Sequence, residues 1–179
     1  MILFIRHGQT EYNINHLLAG GDIDLSINSK GEQQAEETGW KLKNTKIDLV
    51  YCSPLLRAKQ TAEKVLRFHK DTPIIYDDRL KERFFGELNG KIDSDYPDCW
   101  RVDFDEGNGK VKGMERLQHF HGRCKDFIDE ISNLSKDKNI LVVAHNGVGR
   151  MFKCIFYGFP ESGNLDDYDV DNGEVLIFD

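Results

Sequence analysis

Arg6, His7, Gly8 and Asn13 place side chains suited to phosphate chemistry within one short stretch of the chain. An arginine donates a planar pair of hydrogen bonds to phosphate oxygens, and a glycine lets the backbone come close to the anion. A neutral imidazole is a good nucleophile near pH 7. The stretch therefore indicates a site where a histidine attacks phosphorus, although a solvated surface histidine is a competing interpretation of the same residues.

Arg57 is a second candidate for contact with an anion. Ser53 and Pro54 are typical of a helix start, with the serine as N-cap and the proline at the first helical position. Arg57 then falls in the opening turn, where a cation opposes the positive end of the helix dipole at a cost of about 0.3–1 kcal/mol. A bound anion would offset that cost. The alternative interpretation is that Arg57 is an ordinary arginine on the helix surface.

Two wholly apolar segments position these side chains, and each is followed by a histidine. Residues 2–5 and 140–144 are predicted as strands buried on both faces, and they deliver His7 and His145 at the same relative place. Further strands are predicted at 47–51, 74–76 and 175–178. Helices are predicted at 29–43, 54–69, 114–134 and 147–157, the first with the capping-box spacing of Ser29 and Glu32.

Strands that alternate with helices predict an α/β fold, a three-layer α/β/α sandwich with a mostly parallel central sheet. We expect one domain over residues 1–179, in which the glycine-punctuated and partly acidic segment 84–113 forms a short irregular lid. Sheets of this kind bind ligands beyond the carboxyl ends of their strands. The two histidines are predicted to lie at that edge.

Composition and charge narrow the possible partners. The 179 residues carry a formal net charge of −7 at pH 7, which argues against nucleic acid as the main partner. Four widely spaced cysteines without a C-x-x-C pair favour reduced thiols and a cytoplasmic protein. The apolar run at 2–5 is too short for a secretory leader or a membrane span, so we expect neither export nor a membrane partner.

Taken in order, the motifs resemble those of the histidine phosphatase superfamily, also called the phosphoglycerate-mutase-like family. Residues 6–13 match its signature R-H-G-x-T/S-x-x-N at every fixed position. Residues 52–62 are similar to its S-S-x-L-x-R-A-x-Q-T-A segment, and residues 80–90 resemble the stretch that holds its general acid. Ala144 and His145 match the position of its second catalytic histidine, so the resemblance covers roughly residues 3–152.

This resemblance implies a phosphomonoester hydrolase that works through a phosphohistidine and needs no metal or other cofactor. His7 would attack phosphorus, and Glu82 would protonate the leaving alcohol and then activate water. Positive charge and hydrogen-bond donors around the phosphate would come from Arg6, Arg57, Asn13 and, if it is protonated, His145.

Some positions leave the site open in detail. Glu87 stands close to Glu82 in the sequence and is an alternative acid, while Glu115 follows a methionine where the family has a different pattern and is left out of the catalytic set. The family continues its second histidine with glycine, whereas this chain has Asn146 before Gly147. We expect the backbone amide of Asn146 to approach the phosphate, because asparagine tolerates unusual φ angles.

Other functions remain possible at this point. A mutase of the same superfamily would move the phosphoryl group, but such mutases carry insertions for which this chain has little room. A phosphatase of phosphohistidine or phosphoserine in proteins would have almost no lid. A non-catalytic phosphate-binding module is a further alternative, but such a module would not need the complete set of reacting side chains that this chain has.

Two patterns that suggest metal binding are set aside. His119 and His121 are two residues apart, and such neighbours do not share a helix face. The acidic segment 167–173 begins like a calcium loop, but its glycine is one position late and Phe178 occupies the place of the bidentate glutamate. We expect no metal site, and no nucleotide-binding P-loop motif is present.

The expected substrate is a small phosphorylated metabolite, with α-ribazole phosphate, a phosphoglycerate and a sugar phosphate equally compatible by resemblance. Selectivity is expected from residues 14–23 and from the lid. Its aromatic residues either stack on a substrate ring or form the core of the lid, which we favour; they are Phe84, Phe85, Trp100 and Phe104. The sequence does not predict the oligomeric state.

Overall fold

A central β-sheet organises the computed structural model, which describes residues 1–102 and 111–179. Within these residues the sheet has five strands in the order β3-β2-β4-β1-β5, and β5 alone runs antiparallel to its neighbour. The strands are β1 (Ile2–Arg6), β2 (Leu49–Cys52), β3 (Ile74–Tyr76), β4 (Ile140–Ala144) and β5 (Val175–Phe178). Phe104 and the other residues of 103–110 lie outside the described part of the chain.

Helices cover both faces of this sheet. Side chains alternate along the central strands, so each face carries apolar residues that must be buried. In β1, Leu3 and Ile5 belong to one apolar cluster, and Ile2 and Phe4 belong to another. The first cluster packs under α2 (Ser29–Leu42) and α3 (Leu56–Val65), and the second packs under α4 (Leu117–Leu134) and α5 (Asn146–Tyr157). The predicted three-layer α/β/α sandwich with a mostly parallel sheet is confirmed.

The starts of α2 and α3 differ from the predicted caps. Asn28, not Ser29, is the N-cap of α2, and its side chain accepts a hydrogen bond from the backbone N–H of Gly31. The helix α3 begins two residues later than predicted, with Leu55 as N-cap and no side-chain cap. The hydroxyl of Ser53 lies 2.8 Å from Nε2 of His145 and accepts from the backbone N–H of Leu55 at 3.4 Å.

The helix α4 also begins later than predicted, at Leu117 instead of Met114. The backbone N–H of Glu115 donates to the carbonyl of Phe84 at 2.8 Å, and Met114 forms an isolated bridge with Phe85. These contacts hold residues 114–115 extended, so the helix cannot include them.

The helix α3 ends at Val65 and is followed by a 3₁₀ turn, Leu66–Phe68, so it is shorter than the predicted 54–69.

The described parts of 84–113 form short 3₁₀ turns, including Gly86–Leu88, Asp93–Asp95 and Pro97–Trp100. Phe85 and Trp100 are buried in the cluster under α4 and α5 and stack edge to face, with ring centroids 5.6 Å apart. The segment is therefore anchored to the main core, and its role as a lid stays a prediction.

All four cysteines are buried and unpaired. Burial raises the pKa of the Cys52 thiol to about 12, which leaves it unreactive near neutral pH. Among the described residues, no helix combines the length and the apolar character needed to cross a membrane.

Candidate active site

Three neighbouring strands bring the predicted reactive residues to one edge of the sheet. The chain leaves β1 at His7, β2 at Ser53 and β4 at His145, and these strands lie side by side in the order β2-β4-β1. The backbone N–H of His7 donates to the carbonyl of Ala144 at 3.0 Å, and that of Ser53 donates to Val143 at 2.9 Å. The strand ladder therefore continues into the site and holds its backbone.

A cavity of about 100 Å³ lies at this edge. Most of the predicted site residues line it, namely Arg6, His7, Asn13, Arg57, Glu82 and Asn146. Leu17, Leu18 and Ala19, from the segment where selectivity was expected, line it as well, together with Thr10, Phe85, Asp93, Trp100 and Arg150. His145 is fully buried beside it, its ring centroid 5.2 Å from that of His7.

The ring of His7 is set up as a nucleophile. Its Nδ1 donates to the carbonyl of Gly8 at 2.8 Å, which places the lone pair on Nε2. Burial lowers the pKa of His7 well below its usual value, and the nearby charges of Arg57 and Arg6 act in the same direction. The imidazole is therefore neutral at physiological pH.

Arg57 reaches the cavity from the first turn of α3, as predicted, and is fixed by four acceptors. Its Nη1 donates to the carbonyl of Ile23 at 2.6 Å, and Nη2 lies 3.4 Å from the carbonyls of Ala19 and Gly20. Burial lowers its pKa to about 10, so the guanidinium remains charged near pH 7. The arginine thereby joins the 19–23 loop to the site.

His145 differs from the expected source of positive charge. Its Nδ1 accepts a hydrogen bond from Nε of Arg57 at 3.2 Å, so Nε2 carries the proton and donates to Oγ of Ser53 at 2.8 Å. Burial and the charge of Arg57 lower the pKa of His145 well below its usual value. The imidazole is neutral in this structure, because a protonated ring could not accept from Arg57.

Arg6 extends from the end of β1, and its Nη1 donates to the carbonyl of Val170 at 2.5 Å. Its Nε is buried and has no hydrogen-bond partner among the described residues. An unsatisfied buried donor is costly, so an acceptor in the cavity would be favoured at this position. Burial lowers the pKa of Arg6, with Glu82 and Asp169 opposing that effect.

Asn13 presents its amide nitrogen on the cavity wall because its oxygen is occupied. Its Oδ1 accepts from the backbone N–H of Thr10 at 3.0 Å, while Oγ1 of Thr10 accepts from the N–H of Asn13. This reciprocal capping box opens α1 (Glu11–Ile14). The amide donor expected from Asn13 is therefore available.

Asn146 is held by its side chain to a neighbouring loop. Its Nδ2 donates to Asp169 and its Oδ1 accepts from the N–H of Val170, both at 2.9 Å. The backbone N–H of Asn146 stands at the start of α5, where a helix has no internal acceptor for it. Its side chain is therefore occupied, and the phosphate contact expected from its backbone N–H stays a prediction.

Glu82 is buried on the cavity wall and accepts two backbone hydrogen bonds. Its Oε1 accepts from Arg83 at 2.8 Å, and its Oε2 accepts from Gly147 at 3.0 Å. A Cβ atom on Gly147 would lie 2.2 Å from Oε1, so only glycine permits this approach. Glu87, the alternative acid, is exposed and does not line the cavity.

Arg123 holds the segment that carries Glu82. It donates to the carbonyls of Arg79, Lys81 and Glu82 at 2.6, 2.7 and 3.0 Å. Glu115 forms an ion pair with Arg123, with Oε1 2.8 Å from Nε. Glu115 thus stabilises the support of the site without facing the cavity.

Three residues of the site were missed or misread from the sequence. Arg150 and Asp93 were not singled out, and Ser53 was interpreted only as a helix cap. Arg150 had a usable signal, since it stands three and four residues after Gly147 and Asn146 and so shares their helix face. Asp93 had none, because it lies in an irregular segment whose position depends on tertiary contacts.

The patterns set aside as metal sites form no such site in the described residues, where no group of three or more histidine, cysteine, aspartate or glutamate side chains could hold an ion. Nδ1 of His119 lies 3.0 Å from Glu115, and the ring of His121 packs against Phe159.

A doubly covered α/β sheet with a neutral buried histidine and two arginines at its carboxyl edge is typical of enzymes that handle phosphate through histidine. The chain belongs to the histidine phosphatase superfamily, branch 1, whose family model matches residues 2–179. The family predicted from residues 6–13 and the later motifs is confirmed.

Several named relatives of this chain are phosphatases. A probable phosphatase of Schizosaccharomyces pombe is 29% identical over 99% of this chain and 82% of its own length. The adenosylcobalamin/α-ribazole phosphatase of Escherichia coli is 32% identical over 87% of this chain and 78% of its own length. The crystal structure of the α-ribazole phosphatase from Shigella flexneri superposes with a TM-score of 0.81 at 29% identity, covering 97% of this chain and 87% of that one. These matches confirm the predicted enzyme class, a phosphoric monoester hydrolase.

Proposed function

We propose that the protein hydrolyses the phosphate monoester of a small metabolite through a phosphohistidine formed on Nε2 of His7. The observation that carries this proposal is the state of His7, whose Nδ1 is held by Gly8 while Nε2 is left free and unprotonated. A neutral imidazole next to two arginines can attack a dianion whose charge those arginines offset.

In the first step, Nε2 of His7 forms a bond to phosphorus as the bond from phosphorus to the ester oxygen breaks. Arg6, Arg57 and the amide nitrogen of Asn13 stabilise the equatorial oxygens, since each presents a donor at the cavity. His145 acts in this proposal through Arg57, whose guanidinium it orients from behind the cavity wall. It also becomes a direct contact if phosphate binding turns its ring.

Glu82 supplies the proton and later removes one. As a carboxylic acid it protonates the departing alkoxide, and as a carboxylate it takes a proton from the water that attacks the phosphohistidine. This second step returns free His7, inorganic phosphate and a protonated Glu82. Its two backbone hydrogen bonds from Arg83 and Gly147 support the role by fixing the carboxyl group on the cavity wall.

The cavity of about 100 Å³ suits a phosphate group, so the rest of the substrate extends beyond it. The relatives named for α-ribazole phosphate, in Escherichia coli and Shigella flexneri, make that ester a first candidate. A cytoplasmic location is part of the same proposal, supported by four buried unpaired cysteines.

The test is release of inorganic phosphate from a panel of monoesters that includes α-ribazole phosphate, sugar phosphates and 3-phosphoglycerate, with a chelator present. We expect release by the wild type, loss of it in His7→Ala, and retention in His119→Gln, whose side chain is 77% exposed. Acid-labile ³²P-labelled protein should accumulate transiently only when His7 is intact.

Three outcomes would contradict the proposal. Equal activity in His7→Ala would remove the phosphohistidine, and loss of activity with the chelator would remove the metal-free mechanism. Conversion of 3-phosphoglycerate to its isomer without release of phosphate would identify a mutase.

A further inference from the structure

A second and larger cavity, of about 610 Å³, adjoins the phosphate cavity. The two share Asp93 and Trp100, while Ile92, Tyr96 and Pro97 give the larger one an apolar wall. The part of an ester that carries no phosphate must extend from the phosphate cavity into free space. The shared residues mark this adjoining cavity as the place for the leaving group.

Two carboxylates, those of Asp93 and Asp166, line the larger cavity. Asp93 is exposed there, and among the described residues its carboxylate forms no hydrogen bond or ion pair. Arg150 is the nearby cation, and it forms ion pairs with Asp166, 2.7 Å from Nη2, and with Asp169. Partial burial raises the pKa of Asp93, and after the opposing effect of Arg150 the charges of Asp166 and Asp169 raise it further.

Arg150 lines the phosphate cavity and has an unused donor. Its side chain is 4% exposed, and Nη1 is buried without a partner in the described residues. The guanidinium stacks on Trp100, with Cζ 4.3 Å from the ring centroid, so it is fixed in place. The carboxylate of Asp93, which both cavities share, suits a leaving group with a hydroxyl or amino group.

Asp93 is held in place by backbone contacts. Its N–H donates to the carbonyl of His16 at 2.8 Å, and Leu18 donates to the carbonyl of Lys91 at 2.9 Å. Leu17 and Ile92 form an antiparallel bridge between these hydrogen bonds. The position of the carboxylate is therefore set by the loop that follows α1.

We infer that Asp93 makes this enzyme selective for phosphate monoesters whose leaving group is neutral or cationic, and discriminates against those that carry a second anionic group. This inference rests on the proposed function and names a specificity-determining residue for it. The physical reason is repulsion between the Asp93 carboxylate and a second anion placed in the adjoining cavity.

The test compares kcat/KM for three phenyl phosphates with aminomethyl, hydroxymethyl or carboxymethyl groups in the para position. Asp93→Asn and Asp93→Lys are compared with the wild type and with Asp95→Asn, a control in the same 3₁₀ turn that lines neither cavity. Ratios between esters are compared across variants, so the intrinsic reactivity of each leaving group cancels.

We expect Asp93→Asn to raise the ratio of the carboxymethyl to the aminomethyl ester about fivefold, and Asp93→Lys to raise it further. Both changes should shrink at high salt, because salt screens charges but not shape. Ratios that stay at the wild-type value in both variants, while His7-dependent release continues, would overturn the inference alone. Absence of release from all three esters and from the metabolite panel would overturn the proposed function and the inference with it.

Discussion

His7 can attack phosphorus only while one ring nitrogen keeps a lone pair, and its surroundings secure that condition. Burial and the charges of Arg57 and Arg6 lower its pKa, and in the proposed mechanism the same two arginines bind the phosphate dianion. In that mechanism, one set of charges therefore keeps the nucleophile neutral and binds the substrate. His145 shares this environment, and its pKa is lowered for the same reasons.

These lowered pKa values predict that acid destabilises the fold. Below about pH 6.5 the unfolded chain binds protons on both histidines while the folded protein excludes them, so stability falls as the pH falls. Each histidine can contribute a slope of up to about 1.4 kcal/mol per pH unit. Urea unfolding at pH 5 and pH 7 should show a smaller loss in His7→Gln and in His145→Gln than in the wild type.

Gly122→Ala serves as the control for this experiment, because it changes no titratable group and nothing lies within 4 Å of that position. It should keep the pH dependence of the wild type. An unchanged slope in both buried-site variants would show that neither histidine is protected from protons.

Gly147 predicts a second effect at the residue scale. A methyl group there would meet the Glu82 carboxylate and Trp100, so Gly147→Ala should displace the acid and lower kcat roughly 10–100-fold. Gly122→Ala is the matched control, because nothing lies within 4 Å of that position in α4. It should keep full activity and gain up to about 1 kcal/mol of stability. Full activity in Gly147→Ala would show that Glu82 does not depend on this contact.

At the scale of elements, the segment that carries Glu82 has no regular structure of its own beyond the turn Asp78–Leu80. Its backbone carbonyls instead accept hydrogen bonds from one side chain of α4, that of Arg123, which is held by an ion pair with Glu115. A helix thus substitutes for the missing strand ladder and fixes the acid relative to the sheet.

Replacing Arg123 tests this arrangement. Arg123→Lys keeps the charge but cannot reach three carbonyls and a carboxylate together, so stability should fall by about 1–3 kcal/mol and kcat about tenfold. Arg67→Lys is the control, because Arg67 is 57% exposed and forms a surface ion pair with Glu36. It should change neither stability nor kcat measurably. Thermal unfolding and steady-state kinetics on the same preparations would separate the two effects, and wild-type kcat in Arg123→Lys would contradict the positioning role.

The elements that could be predicted from the sequence are those with their own periodic signal. The strands at 140–144 and 175–178 were predicted with their observed bounds, because each is a continuous apolar run. The start of α4 was not, since residues 114–115 pair with Phe84 and Phe85 through contacts distant in sequence. The cavity followed the same division, because the motif residues that line it were singled out from the sequence and Asp93 was not.

The whole molecule rests on two apolar layers separated by the sheet. The layer under α4 and α5 contains an aromatic group in which Phe152 contacts Phe4, Phe127 and Phe178, with ring centroids 5.1, 6.3 and 5.6 Å away. This group lies under α5, whose first turn forms part of the cavity wall.

Phe152→Ala should therefore lower the free energy of unfolding by about 3–5 kcal/mol, the usual cost of a cavity left by a buried phenylalanine. Phe152→Leu should cost much less, because most of the volume is retained. Urea titration of both variants would measure this, and equal stabilities would mean that the layer repacks around the gap.

The pairing of β1 with β4 has a further consequence for how the enzyme matures. Ile2 is aligned with Ile140, so the strand that presents the nucleophile has no parallel partner until the chain has been made almost to its last helix. Non-local pairings of this kind form late, because the closure of a long loop must precede them. In a refolding experiment, helical circular dichroism should therefore recover before phosphatase activity does. Phosphatase activity would then appear only after β1 and β4 have paired, and partly folded chains would not hydrolyse phosphate esters.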